Sequence, residues 1–227
     1  MKAEAAPVPK YLEYVLGLTA FAAGPVDIIS FTKLGGIFAS AMTGNLAFLG
    51  LYLARGSVIA AIGSMIALAG FVAGGAAGTL LCRDRHNERS VKILLADEVF
   101  LLALFAVAAV VLPHAMGSLT NYVLIILLSV AMGLQSILGK KINLSNIPTI
   151  VFTSTLTNIV IAVTERLASG KRHLPKDTWR QMLSFILYFL GALCAGFLVY
   201  VHSGAVVALP LVAVAAAFVI LPRQGVK

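Results

Sequence analysis

The sequence predicts an all-α polytopic membrane protein: six transmembrane helices plus two re-entrant or broken segments, arranged as two inverted repeats of about 110 residues. Three observations carry this. First, 60% of the 227 residues are hydrophobic, 11% are charged and the mean hydropathy is +0.98. A soluble domain has about 45–50% apolar and about 25% charged residues. Second, the chain divides into eight apolar segments, two of them interrupted by polar and glycine residues. Third, the basic residues fall in the gaps between segments, as they do in cytoplasmic loops. This composition excludes a disordered chain, a coiled coil and an ordinary soluble enzyme. The formal charge of +8 is not gathered on a helix face or patch with interleaved aromatics, so no nucleic-acid partner is expected.

The segments run roughly 13–32, 37–54, 57–81, 93–112, 120–139, 147–164, 181–202 and 204–221. A helix needs about 20 residues to cross the hydrocarbon core, and six segments meet or approach that length. The first follows a polar stretch with Lys2, Glu4 and Lys10 and no clear cleavage site, so it is expected to stay as a span. Segment 37–54 is short and holds Ser40, Thr43, Gly44 and Asn45. Segment 147–164 holds Thr149, Thr153, Ser154, Thr155, Thr157 and Asn158. Such groups favour a broken or re-entrant segment over a lipid-facing span.

The basic residues choose between the topologies. With eight crossings and an inside N-terminus, 10 lie inside and 7 outside. If 37–54 and 147–164 each enter and leave on one side, only Lys33 and Arg55 remain outside and 15 lie inside. The second arrangement obeys the positive-inside rule and puts both termini in the cytoplasm.

The two interrupted segments also align. Met42-Thr43-Gly44-Asn45-Leu46 matches Phe152-Thr153-Ser154-Thr155-Leu156, and one residue out of step Gly24-Pro25-Val26-Asp27 meets Gly133-Leu134-Gln135-Ser136. One membrane domain therefore reads as a first repeat, 11–113, and a second, 119–222. Gly70, Gly74 and Gly78 in 57–81, and Ala192 with Gly196 in 181–202, have the spacing that lets helices approach closely in lipid.

Asp27 is the residue with the clearest chemistry. An Asp at the centre of a membrane helix costs roughly 2.5–3.5 kcal/mol on insertion scales. It should face a cavity or a partner, and low dielectric lets such an acid carry a proton. Structurally, it can instead accept hydrogen bonds from the re-entrant segment or pair with Lys33. The turns Thr43-Gly44-Asn45 and Thr153-Ser154-Thr155 can bind a small polar solute or ion, or simply cap short half-helices. Ser30, Gln135, Ser136, Asn146 and Asn158 can join either role. Asp97 and Glu98 are expected to pair locally with the basic loop 82–92. Cys82 and Cys194 form no CxxC, and no His/Cys cluster exists, so no disulfide, metal or cofactor is expected. No nucleophile elbow, Walker loop, HExxH or dinucleotide fingerprint is present, which argues against an enzyme.

Gly24-Pro25-Val26-Asp27, Ser30-Phe31, Leu34-Gly35-Gly36 and Met42-Thr43-Gly44-Asn45 resemble the first signature of the YoaK-type bacterial membrane proteins, a domain of unknown function. Met132-Gly133-Leu134-Gln135, Pro148-Thr149 and Thr153-Ser154-Thr155 resemble the second, with Ser136 where Asn is more usual and Ser154 where Gly is. The resemblance covers about 11–221 and implies an integral protein of the bacterial inner (cytoplasmic) membrane. The functional expectation is a transporter of a small polar solute or ion, with its site between the two re-entrant turns near the midplane. A channel of the same fold, or a membrane scaffold or partner subunit, is the alternative. The partners expected are the lipid bilayer, that solute and a homo-oligomer; in the scaffold alternative the glycine-rich face of 57–81 packs between chains.

Overall fold

A computed structural model describes residues 9–83, 87–142, 152–170, 174–202 and 204–222. The described residues form eight α-helices and no strand: α1 Lys10–Lys33, α2 Met42–Ala54, α3 Val58–Leu81, α4 Asn87–Val111, α5 Leu119–Lys141, α6 Phe152–Ala168, α7 Lys176–Val201 and α8 Ala208–Ile220. A 3-10 turn, Ala205–Val207, leads into α8. Five helices, α1, α3, α4, α5 and α7, are long and apolar enough to cross a membrane. The chain is a multi-pass membrane protein.

The helices differ from the apolar segments at their starts, for physical reasons. Gly35 and Gly36 take φ of +97° and +75°, a left-handed conformation that ends α1 and turns the chain back. Residues 37–41 are therefore loop, and α2 starts only at Met42. α4 begins at Asn87, well before the apolar run, because polar Asn87-Glu88-Arg89-Ser90 continue the helix beyond its apolar part. α7 likewise begins just after Pro175, with Asp177 in the first turn favouring the helix dipole. The first residues of segment 147–164, including Pro148 and Thr149, and Asn146 before them, lie outside the described residues.

Two glycine crossings organise the packing. On α3, a Cβ added to Gly74 would come within 2.2 Å of the Val130 carbonyl of α5. One added to Gly133 of α5 would come within 2.3 Å of the Phe71 carbonyl. Gly63 meets Ile125, Gly70 meets Ser129 and Gly78 meets Leu134 and Ile137, so α3 and α5 run parallel. In the same way, Gly24 of α1 faces Tyr188, Gly191 and Ala192 of α7, and Gly17 meets Leu187. These two helices are also parallel. The small residues used on α7 are Gly191 and Ala195, both buried. Gly196 has nothing within 4 Å, so the expected Ala192–Gly196 pairing is corrected by one register step. Around these crossings α4 packs on α5 and α8, α8 on α1, α2 on α3 and α6 on α7.

Contacts between helix termini mark the two ends of the bundle. Tyr11 Oη donates to Glu88 Oε1 at 2.9 Å, Arg180 pairs with Glu13, and Lys141 Nζ donates to the Cys82 carbonyl at 2.9 Å. The starts of α1, α4 and α7 thus meet the ends of α3 and α5. At the opposite end, Gly35 sits against Met116 and Gly117 against Ile59. α1 therefore ends and α3 begins at one end of the bundle, while α5 ends and α7 begins at the other.

Candidate functional site: the Asp27 cradle

The site is built on α1. Pro25 has no amide hydrogen, so the Phe21 carbonyl lacks its usual helical donor. That carbonyl faces Gly191 of α7, where an added Cβ would come within 2.1 Å. Only glycine allows this approach, and the approach sets Tyr188, one turn earlier on α7, beside Asp27.

Asp27 is 1% exposed. Its Oδ1 accepts from the Ala39 and Ser40 amides at 3.1 and 2.8 Å. Its Oδ2 accepts from Ser40 Oγ at 2.6 Å and Tyr188 Oη at 2.8 Å. Asp27 is the acceptor in all four. The carboxyl ties three parts of the fold together: α1, the 34–41 loop and α7. Of the two structural alternatives left by the sequence, the structure shows acceptance from the 34–41 segment.

Asn45, the one buried residue of α2, holds the same loop from its other side. Its Oδ1 accepts from the Phe38 amide at 2.8 Å and its Nδ2 donates to the Phe38 carbonyl at 2.5 Å. Both polar groups of Phe38 are thus satisfied without water, as lipid depth requires. Phe38 stacks on Phe31 with ring centroids 5.1 Å apart and on Phe48 at 6.0 Å. Gly44 lies against the Phe38 ring, where an added Cβ would be 3.1 Å away.

The other expected residues are dispersed. Ser30 Oγ donates to the Val26 carbonyl at 2.6 Å and Ser136 Oγ to the Gly133 carbonyl at 2.7 Å, both within their own helices. Thr43 is exposed. Gln135 is buried on α5 and its Nε2 donates to the Thr19 carbonyl at 2.8 Å. Thr19 is two turns below Asp27, so Gln135 ties α5 to α1 at a different depth. On α6, Ser154 is exposed and Thr155 buried, while the Thr153 side chain lies outside the described residues.

Three contributors were not singled out as site residues from the sequence: Tyr188, the Ala39–Ser40 amides and Phe38. A tyrosine within an apolar run carries no special signal. Its position three residues before Gly191 becomes informative only once the crossing is known. Glu98 requires a correction. It does not pair with the 82–92 loop: it is fully buried, and neither carboxyl oxygen has a hydrogen-bond partner among the described residues. The reason is the early start of α4, which carries Glu98 three turns along the helix.

The model of a protein family described as "protein of unknown function (DUF1275)" matches residues 15–221. The chain is 33% identical over 188 residues to the UPF0700 transmembrane protein YoaK of Bacillus subtilis (strain 168), covering 81% of this chain and 82% of that protein. No solved structure matches. The chain belongs to the DUF1275 family, and the resemblance to YoaK-type proteins stands.

Proposed function

We propose that this DUF1275 member is a transporter of a small polar solute or ion in the bacterial inner (cytoplasmic) membrane, built from two inverted repeats with both termini cytoplasmic. The observation that carries the reading is the Asp27 cradle, where an intramembrane acid holds a non-helical loop. Irregular backbone at membrane depth is tolerated where it is buried in protein or lines a cavity, and transporters place their sites at such interruptions.

The packing supports the repeat. Exchange α1 with α5, α2 with α6, α3 with α7 and α4 with α8. The pair α3 with α5 becomes α7 with α1, α4 with α5 becomes α8 with α1, and α2 with α3 becomes α6 with α7. All of these pairs are present. The same exchange takes Gly24 to Gly133, the match found in the sequence. It also takes Gly74 to Gly191, so each half contributes one glycine to each crossing.

The ends of the bundle support six crossings. In this reading α1, α4 and α7 start inside, α3 and α5 end inside, and α2 and α6 return to the side they left. α8 with its 3-10 turn is the sixth crossing, about 25 Å long. The inside end then carries 15 of the 17 basic residues. The halves run in opposite senses, because α1 starts at the end where α5 finishes.

Function follows from what the cradle connects. Asp27 and Tyr188 link the re-entrant loop to the α1–α7 crossing, so a sliding of that crossing opens the loop, and a polar solute can replace the Ser40 and Tyr188 donors. A thermal-shift screen of the purified chain against small metabolites and ions should identify a stabilising ligand. Uptake of that ligand into proteoliposomes should fall to background in Asp27→Asn, with the variant inserted at normal abundance. Undiminished uptake would remove Asp27 from the transport cycle.

A further inference from the structure

Glu98 is the buried acid that the cradle does not use. α4 turns one stripe inward, Val91, Leu94, Leu95, Leu102 and Phe105, and packs on α5 and α8. Glu98 sits in the middle of that stripe with 0% exposure. It lies 11 residues past Asn87 and 13 before Val111, about 16 Å and about 20 Å of helix, so it is deep within the span.

Among the described residues, nothing nearby answers a negative charge there. Neither Glu98 oxygen has a hydrogen-bond partner among the described residues. α8 and the 3-10 turn carry no titratable side chain. On α5 the titratable groups are Tyr122 in the first turn and Lys140 and Lys141 at the other end. Lys140 is exposed and Lys141 donates to the Cys82 carbonyl. On α4 itself Asp97 is acidic, and Glu88, Arg89 and Lys92 are exposed near the helix start. The contrast with Asp27 is direct: four donors fill Asp27, and none among the described residues serves Glu98.

We propose that Glu98 is an intramembrane proton-binding site. A carboxylate without donors or counter-charge in a low-dielectric interior is strongly disfavoured, and binding a proton removes the charge. Hard metal cations need six or more oxygen ligands, whereas a proton needs one, and one carboxyl is what this position offers. Intramembrane acids of this kind form the proton relays of pumps and transporters. Glu98, with its acceptor capacity unused, is then the acid that proton coupling would employ. That use rests on the transport reading, whereas the bound proton does not.

The test is infrared spectroscopy of the full chain in lipid nanodiscs at neutral pH. The wild type should show the C=O stretch of a protonated carboxylic acid without hydrogen bonds, at the high-frequency end of the acid region. The band should vanish in Glu98→Gln and persist in Asp27→Asn. Glu98→Asp, which keeps the carboxyl, should shift the band and guards against a misfolded Gln variant. Absence of the band from the wild type, or its persistence in a folded Glu98→Gln, overturns the proposal and leaves the transport reading to its own uptake test.

Discussion

Asp27→Ala should loosen the 34–41 loop while leaving the α3–α5 crossing intact. The substitution removes one acceptor from each of four donors: the Ala39 and Ser40 amides, Ser40 Oγ and Tyr188 Oη. The two hydroxyls can rotate toward other acceptors. The two amides are fixed by the backbone and cannot. An unsatisfied buried donor costs about 1–3 kcal/mol, so the amides alone cost about 2–6 kcal/mol. That is a large fraction of a typical stability of about 5–15 kcal/mol. The melting temperature should fall, and amide exchange at Ala39 and Ser40 should speed up far more than exchange within α3 and α5. Asp27→Asn keeps one oxygen for the amides, and its NH2 can donate to Ser40 Oγ or Tyr188 Oη. It should therefore lose only about 1 kcal/mol, which is why it suits the uptake test. Unchanged exchange at Ala39 and Ser40 in Asp27→Ala would show that the carboxyl does not hold the loop.

Gly133→Val should be severely damaging, because it breaks the α3–α5 crossing. A Cβ at this position would come within 2.3 Å of the Phe71 carbonyl, 2.7 Å of the Gly75 amide nitrogen and 2.9 Å of the Gly74 Cα. All three are backbone atoms, so no side chain can turn aside and the helices must separate. Overpacking a core costs about 1–3 kcal/mol even where side chains can give way. Here the cost should exceed that range, and the folded fraction recovered from membranes should drop sharply. Gly196→Ala is the control, since nothing lies within 4 Å of its Cβ position. Alanine there should be neutral or stabilising by up to about 1 kcal/mol, the difference in helix propensity. A Gly133→Val chain as stable as Gly196→Ala would refute close backbone contact between α3 and α5.

The membrane class, the eight segments and the two anchors of the cradle were legible in the sequence. Asp27 and Asn45 stand out because a polar side chain at that depth must have a partner, whatever the fold. The partners were less legible. Tyr188 contributes a hydroxyl to Asp27, but a tyrosine in an apolar helix is ordinary until the neighbouring helix is placed. The phase of small residues is legible on α3 and lies one step away on α7. There Ala192, Ala195 and Gly196 offer several small-residue spacings, and only packing selects Gly191 with Ala195. The depth of Glu98 is hidden in the sequence because hydropathy marks where a helix is apolar, not where it begins. Its early start moved that acid from a loop neighbourhood to the bundle interior. The counterpart of the 34–41 loop in the second half falls at 143–151, outside the described residues, so Asn146, Pro148 and Thr149 keep only their sequence reading.

The inversion of the two halves is tested most directly by side-specific cysteine labelling. Gly56 and Gly170 mark the two loops, but both hold positive φ, +68° and +65°, which a cysteine would strain. Ser57 and Ser169 are exposed neighbours and tolerate the replacement better. With buried Cys82 and exposed Cys194 replaced by alanine, the single variants Ser57→Cys and Ser169→Cys each carry one thiol. In intact cells a membrane-impermeant maleimide should label Ser57→Cys from outside. Ser169→Cys should react only after permeabilisation. Labelling of both from the same side would mean that segment 37–54 or 147–164 crosses the membrane, and would contradict the inverted arrangement.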